Sequence, residues 1–320
     1  MSARQFVISN GALEVRLLTL GATVQEVLLA GLPYSLTLGT GELAAYGRGM
    51  EYFGALVGPV ANRIAGGSAP LGMKRLQFDR NERGVTTLHS GRTGTHAKLW
   101  EAVSAGAHYV TFKLSLPDGE GGFPGNREVL ATYSIELPAT LRLEVTATTD
   151  AETFMNFANH SYWCLDGSGS ILGHKLTVPA DRYVPVDRTG IPDGQAHPVE
   201  GTDFDLRAGH TFTQGGPNFD HNFCLSDQRS QMHHACTLEA PNGVTMVMET
   251  TEAGLQVYDG ARIDSAPWTG PDGTPYGPYA GVALEAQSWP DAPNRPAFPR
   301  INLQAGQKYQ QETHWRFSKG

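Results

Sequence analysis

"HYVTFKLSLPDGEGGFPGNREVLATYSIEL", residues 108–137, decides the fold. In its first part Val110, Phe112, Leu114 and Leu116 are apolar, while Thr111, Lys113 and Ser115 between them are polar. Successive side chains of an extended chain point to opposite faces, so this alternation buries one face of a strand and wets the other. "REVLATYSIEL", residues 127–137, repeats the habit. Between the two, "PDGEGGFPGN" supplies glycines for positive φ and prolines of fixed φ, which tight connections require. The stretch reads as two strands and a turn.

Working outward, "LEVRLLTLGATVQEVLL" (13–29), "LRLEVTATT" (141–149), "CTLEA" (236–240), "VTMVMETT" (244–251), "LQVYD" (255–259) and "GVALEAQS" (281–288) behave alike, with "APNG" and "PDGTPYGP" as further turn signals. A content of 38 Gly and 20 Pro in 320 residues also favours many short strands over long helices. No segment keeps apolar residues at i, i+3, i+4 and i+7 across three turns. The expected fold class is all-β, a large antiparallel β-sandwich. No linker-like shift or repeat of 20–50 residues interrupts it, so a single domain over 1–320 is expected.

A net charge of −8 without a basic stripe speaks against nucleic acid and anionic membrane as partners. No apolar run approaches the ~20 residues of a membrane span, and the first residues lack a signal pattern. Cys164, Cys224 and Cys236 are odd in number and have no CxxC spacing, which suits a reducing cytoplasm better than a disulfide framework. A small polar ligand is the expected partner; monomer and homodimer stay open.

GxGxxG, Walker A, HExxH and GxSxG are all missing. "GSGS" (167–170) is a flexible turn. His233 and His234, adjacent on a strand, would face opposite sides and not share a metal. Five other places set a proton-handling or hydrogen-bonding group among aromatics and glycines: Asn62 and Arg63, His89, His160, Asp220 with His221, and Glu285. Glu285 is the most informative. Period-2 geometry puts Ala283, Glu285 and Gln287 on one face and Val282, Leu284 and Ala286 on the other. The polar face lines a cavity or meets water; the segment alone does not decide.

Together, "GPVANRIAGG" (58–67), "TLHSG" (87–91), "PDGEGGFPGN", "NHSYWCLDG" (159–167), "GTDFDLR" (201–207), "FDHNF" (219–223), "GLQVYDG" (254–260) and "ALEAQSWPDAPN" (283–294) resemble, in order and spacing, the galactose mutarotase (aldose 1-epimerase) family. The resemblance runs from about residue 50 onward. It implies that family's supersandwich fold, a free monosaccharide substrate and no metal or cofactor. It also implies that His160 of the "NHxY" motif is the general acid and Glu285 of "LExQ" the general base. Asn62, Arg63, His89, Asp220 and Gln256 are implied to contact the sugar.

Mutarotation opens a cyclic hemiacetal and recloses it on the other face. The C1 hydroxyl loses a proton while the ring oxygen gains one, so one positioned acid and one base suffice. The expectation is that the two flank C1 from opposite sides, with Arg63 or sugar hydroxyls keeping Glu285 ionised and a nearby carboxylate such as Asp220 keeping His160 protonated. Tyr162, Trp163 or Trp289 would offer a flat wall to the sugar, although core packing is the competing role for each ring. Pro59 and Asp259 depart from the family pattern near the expected rim, which bears on the preferred sugar. Competing readings are a glycoside hydrolase using Glu285 and Asp220, an inactive sugar-binding protein, and an epimerase of a ketose or phosphorylated hexose. The last would need extra cations at the rim, for which Arg92, Lys98 and Arg295 are candidates.

Overall fold

The computed structural model describes residues 3–320. Among them there is no α-helix, only six short 3-10 turns between strands. The alternating stretch at 108–137 forms strands Tyr109–Leu116 and Arg127–Glu136, paired antiparallel from Tyr109 opposite Ser134 to Leu116 opposite Arg127. Their buried residues alternate with less buried ones as the pattern requires.

These strands belong to a nine-stranded sheet in the order His210–Thr211, Lys175–Thr177, His233–Glu239, Val244–Thr250, Lys308–Lys319, Thr140–Thr149, Arg127–Glu136, Tyr109–Leu116 and Glu101–Ala105. A six-stranded sheet runs Tyr162–Trp163, Val282–Gln287, Gly254–Tyr258, Asp220–Cys224, Arg182–Val184 and His197–Pro198. All pairings in both are antiparallel.

The sheets meet in one apolar cluster. Phe112, Tyr133, Val145, Met248 and Trp315 come from the large sheet, and Trp163, Phe223, Leu255, Val257, Val282 and Leu284 from the small one. Trp163 sits at the junction, its ring 6.0 Å from Trp315 and 5.5 Å from Phe317. Trp289 packs on Phe298 in a second cluster and donates its indole N–H to the Ala253 carbonyl. Both tryptophans are therefore core residues, as competing packing demands, and neither walls a sugar site. Cys164, Cys224 and Cys236 are buried and unpaired. No helix of the described residues is long and apolar enough to cross a membrane.

Candidate active site

Because one face of the six-stranded sheet is committed to the core, its other face is free to carry polar groups. On strand Val282–Gln287 every residue is buried, so Glu285 and Gln287 face the interior rather than water. Glu285 stands opposite Gln256, and Gln256 opposite Asn222, in a row across three strands. Asp220 lies one pleat along, opposite Tyr258. Strand Tyr162–Trp163 pairs with the outer side of the Glu285 strand, Tyr162 opposite Ala283. Extending that antiparallel register by two residues brings His160 beside Glu285, with the Nε2 to Oε1 separation 3.5 Å.

Arg63 and His89 arrive from a separate two-stranded ribbon, Arg63–Ile64 against Thr87–Leu88. Both strands of this ribbon meet left-handed backbone at the same end: Asn62 at φ 62° before Arg63, and His89 at 49° and Ser90 at 64° after Leu88. Asn tolerates this region; a histidine there is uncommon and is retained only where its surroundings over-determine it. Here the Asn62 amide donates to His89 Nδ1 (3.2 Å), and the His89 amide donates to the Asn62 carbonyl (3.0 Å). Nδ1 of His89 is thus an acceptor, which leaves Nε2 to carry the proton and act as a donor. Burial and the neighbouring histidines keep this ring neutral by lowering its pKa.

Arg63 is gripped in a two-pronged pair, Nε to Glu82 Oε2 (2.8 Å) and Nη2 to Glu82 Oε1 (2.9 Å), while Nη1 reaches Asp220 Oδ2 at 3.5 Å. Asp220 Oδ1 accepts from Gln256 Nε2 (2.8 Å), and Oδ2 also accepts from Arg262 (3.2 Å). All seven residues that the resemblance implies are brought together: His160 with Glu285, Asn62 with His89, and Arg63 with Asp220 and Gln256, the groups meeting where His89 lies 5.2 Å from His160 and Gln256 stands opposite Glu285; His221 instead packs on Phe204, 4.4 Å away. Several of its buried polar atoms have no hydrogen-bond partner within the chain, namely His160 Nδ1, Glu285 Oε2 and Gln256 Oε1. Buried polar atoms are normally paired, so a cluster of orphans marks a place built for a polar ligand.

The electrostatics differ from the sequence expectation in three respects. First, His160 and Glu285 stand side by side, not across a gap. This suits the chemistry, because the C1 hydroxyl oxygen and the ring oxygen are bonded to the same carbon. Second, Asp220 does raise the His160 pKa, but burial outweighs it and brings the imidazole down to about 4. Third, Arg63 favours the Glu285 carboxylate, yet burial, aided by Asp220, pushes that carboxyl up to about 8. Desolvation penalises both charged forms. Between those limits the pair holds one proton in total.

Tyr52, Glu82 and His96 escaped the sequence reading. The Tyr52 ring lies 4.9 Å from His89, 4.9 Å from His96 and 5.8 Å from His160. Of the three rings considered as a sugar wall, Tyr162 lies beside His160, at 5.0 Å, and Tyr52 joins it there. No periodicity distinguishes Tyr52 in "GMEYFGAL", and Glu82 in "DRNERG" looks like a solvated charge. Pro59 and Asp259 are buried in the chain's own packing rather than at a rim; Asp259 accepts from the Phe219 and Ala261 amides (both 2.9 Å). Arg92, Lys98 and Arg295 are engaged by Asp79, Glu120 and Asp291.

Ligand atoms of His89, His160 and Glu285 lie within 4.8 Å of one another, a set able to hold a divalent cation. Cys164, Asp166 and His174 also cluster, but His174 Nε2 already accepts the Leu165 amide (3.0 Å). A cavity of about 650 Å³, bordered by Tyr34, Cys164 and Tyr276, is lined by none of the seven residues. The buried polar constellation with its unpartnered atoms, not cavity size, marks the candidate site.

The aldose 1-epimerase family model matches residues 4–316. The chain belongs to that family. It is 37% identical to galactose mutarotase of Mus musculus, with 99% of this chain and 94% of the relative covered. It is 31% identical to aldose 1-epimerase of Escherichia coli, over 97% and 93%. Its fold superposes on the crystal structure of an aldose epimerase homologue from C. elegans with a TM-score of 0.92 at 26% identity, covering 99% of each chain. The supersandwich of the aldose 1-epimerase family is thus the architecture described above.

Proposed function

We propose that this protein is an aldose 1-epimerase, an isomerase that interconverts the α and β anomers of a free hexose such as galactose. The observation that carries the reading is the buried contact of His160 Nε2 with Glu285 Oε1 at 3.5 Å. Glu285 takes the proton of the C1 hydroxyl and His160 gives one to the ring oxygen; the ring opens, the C1–C2 bond turns, and closure reverses both transfers. This assignment uses the imidazolium–carboxylate form of the pair. That form differs from the neutral one only by moving the shared proton between the two side chains, and sugar hydroxyls donating to the Glu285 carboxylate favour it. His89 Nε2–H, Arg63, Asp220, Gln256 and Asn62 hold the sugar oxygens, while Tyr52 and Tyr162 exclude water and face the C–H surface of the ring. Buried, unpaired cysteines support a reducing, cytoplasmic location.

The test is anomer exchange followed by polarimetry or NMR on freshly dissolved galactose. His160→Asn and Glu285→Gln are each expected to lower kcat by about 10²–10⁴-fold, the usual range for a positioned acid or base, with little change in KM. Exchange near the wild-type rate in either variant refutes the role assigned to it. Release of an aryl leaving group from a glycoside would instead favour the hydrolase reading. Against that reading, Asp220 is already held by Arg63, Arg262 and Gln256, which disfavours its service as a general acid.

A further inference from the structure

Beside Asp220, away from the proton-transfer pair, lies a small open hollow of about 180 Å³. Four arginines border it, Arg63, Arg83, Arg188 and Arg262, with three carboxylates, Glu82, Asp187 and Asp220. The carboxylates are all engaged. Glu82 is spent on Arg63 and on the Thr86 hydroxyl (2.8 Å), and Asp220 on Arg63, Arg262 and Gln256. Asp187 closes its own turn by accepting from Thr189 (N, 2.7 Å; Oγ1, 2.5 Å) and from the Ile191 amide (3.1 Å). Arg83 and Arg188 are exposed and make no ion pair among the described residues.

The arrangement is built, not scattered. Arg188 sits on the turn that follows strand Arg182–Val184, and that turn lies directly on Arg63: a Cβ on Gly190 would come within 2.6 Å of the guanidinium carbon. Gly190 also has φ 79°, so this close approach and the left-handed backbone both call for glycine. Arg83 follows Glu82, the residue that grips Arg63 from the other side. The chain as a whole carries −8, which repels anions, yet here cations outnumber carboxylates by four to three, and Arg83 and Arg188 have no carboxylate in contact.

We infer that this hollow is an anion subsite, and that the preferred substrates are aldoses bearing a carboxylate or phosphate away from the anomeric carbon. The inference rests on the aldose 1-epimerase reading of the same site. Its geometry follows from the sheet. Glu285, at the anomeric end, is two strands and one pleat from Asp220, about 12 Å at the usual strand spacing and rise. The arginine turn leaves the next strand beyond. A group that meets Arg83 and Arg188 must therefore hang from the far side of the sugar. Guanidinium forks pair with carboxylate and phosphate oxygens through two parallel N–H bonds, whereas a hydroxyl gains only one.

The experiment measures anomer exchange by NMR for galactose, galacturonic acid and galactose 6-phosphate. It compares the wild type with an Arg83→Ser/Arg188→Ser double variant at low and at high salt. The expected result is a wild-type kcat/KM for at least one acidic sugar above that for galactose. The double variant should lower the acidic-to-neutral ratio about tenfold and leave galactose turnover unchanged, since neither residue belongs to the acid–base machinery. Higher salt should shrink the wild-type ratio, because exposed charges are screened. Preference for the uronate identifies a carboxylate site, and preference for the phosphate a phosphate site. A ratio unchanged by the substitutions, equal losses on galactose and the acidic sugars, or acidic sugars turned over more slowly than galactose would each overturn the subsite. Exchange of all three sugars at the buffer rate would instead overturn the epimerase reading beneath it.

Discussion

His160 and Glu285 share a single proton because each is too deeply buried to carry a charge cheaply. Below about 4 the pair takes a second proton and no base remains; above about 8 it has none and no acid remains. The pH profile of kcat/KM is therefore expected to be bell-shaped between these limits, the two apparent values belonging to the pair and not to either residue. A rate still rising above pH 9 would contradict it. The same burial links activity to stability. A carboxyl whose pKa is raised on folding binds a proton as the chain folds, so its contribution is fully present below ~4.3 and is lost as pH rises through about 8. Glu285→Gln removes that dependence. Its melting temperature relative to wild type should climb between pH 5 and pH 9, as differential scanning calorimetry would read.

At the level of elements, the segment "SWPDAPN" (288–294) works as a clamp. Asp291, buried and at φ 57°, accepts from the Ala65 amide (2.9 Å), Asn294 Nδ2 (2.8 Å) and Arg295 Nε (2.9 Å), and its own amide donates to the Arg63 carbonyl (3.1 Å). Replacing it with alanine strands the Ala65 amide and forces a β-carbon with no local hydrogen bond into left-handed backbone. Asp291→Ala should cost on the order of 2–4 kcal/mol in a urea titration and loosen Arg63, raising KM for sugar. Unchanged KM would sever the link to Arg63. Strands were readable wherever one face is buried, as at 109–116 and 127–136, because a period of two is written directly in residue type. Strand Val282–Gln287 is buried on both faces, so its pattern left the position of Glu285 open until the register beside Tyr162 was known. His89 and His160 could be found from their surroundings in sequence. Tyr52, Glu82 and the arginine-bordered turn could not, since contacts over such separations leave no local trace.

Across the whole molecule, strand Lys308–Lys319 joins the halves of the large sheet. It pairs with Thr140–Thr149 on one side and Val244–Thr250 on the other, and its Trp315 and Phe317 enter the core against Trp163. Removing 308–320 would expose two long strand edges and hollow the apolar centre. Such a chain is expected to show no cooperative thermal transition by circular dichroism. This strand also comes later in the sequence than both of its partners, so a nascent polypeptide emerging from the ribosome holds two unjoined half-sheets until residues 308–319 clear the exit tunnel. Until then each half-sheet keeps one unpaired β-edge, the kind of surface through which partly folded chains aggregate.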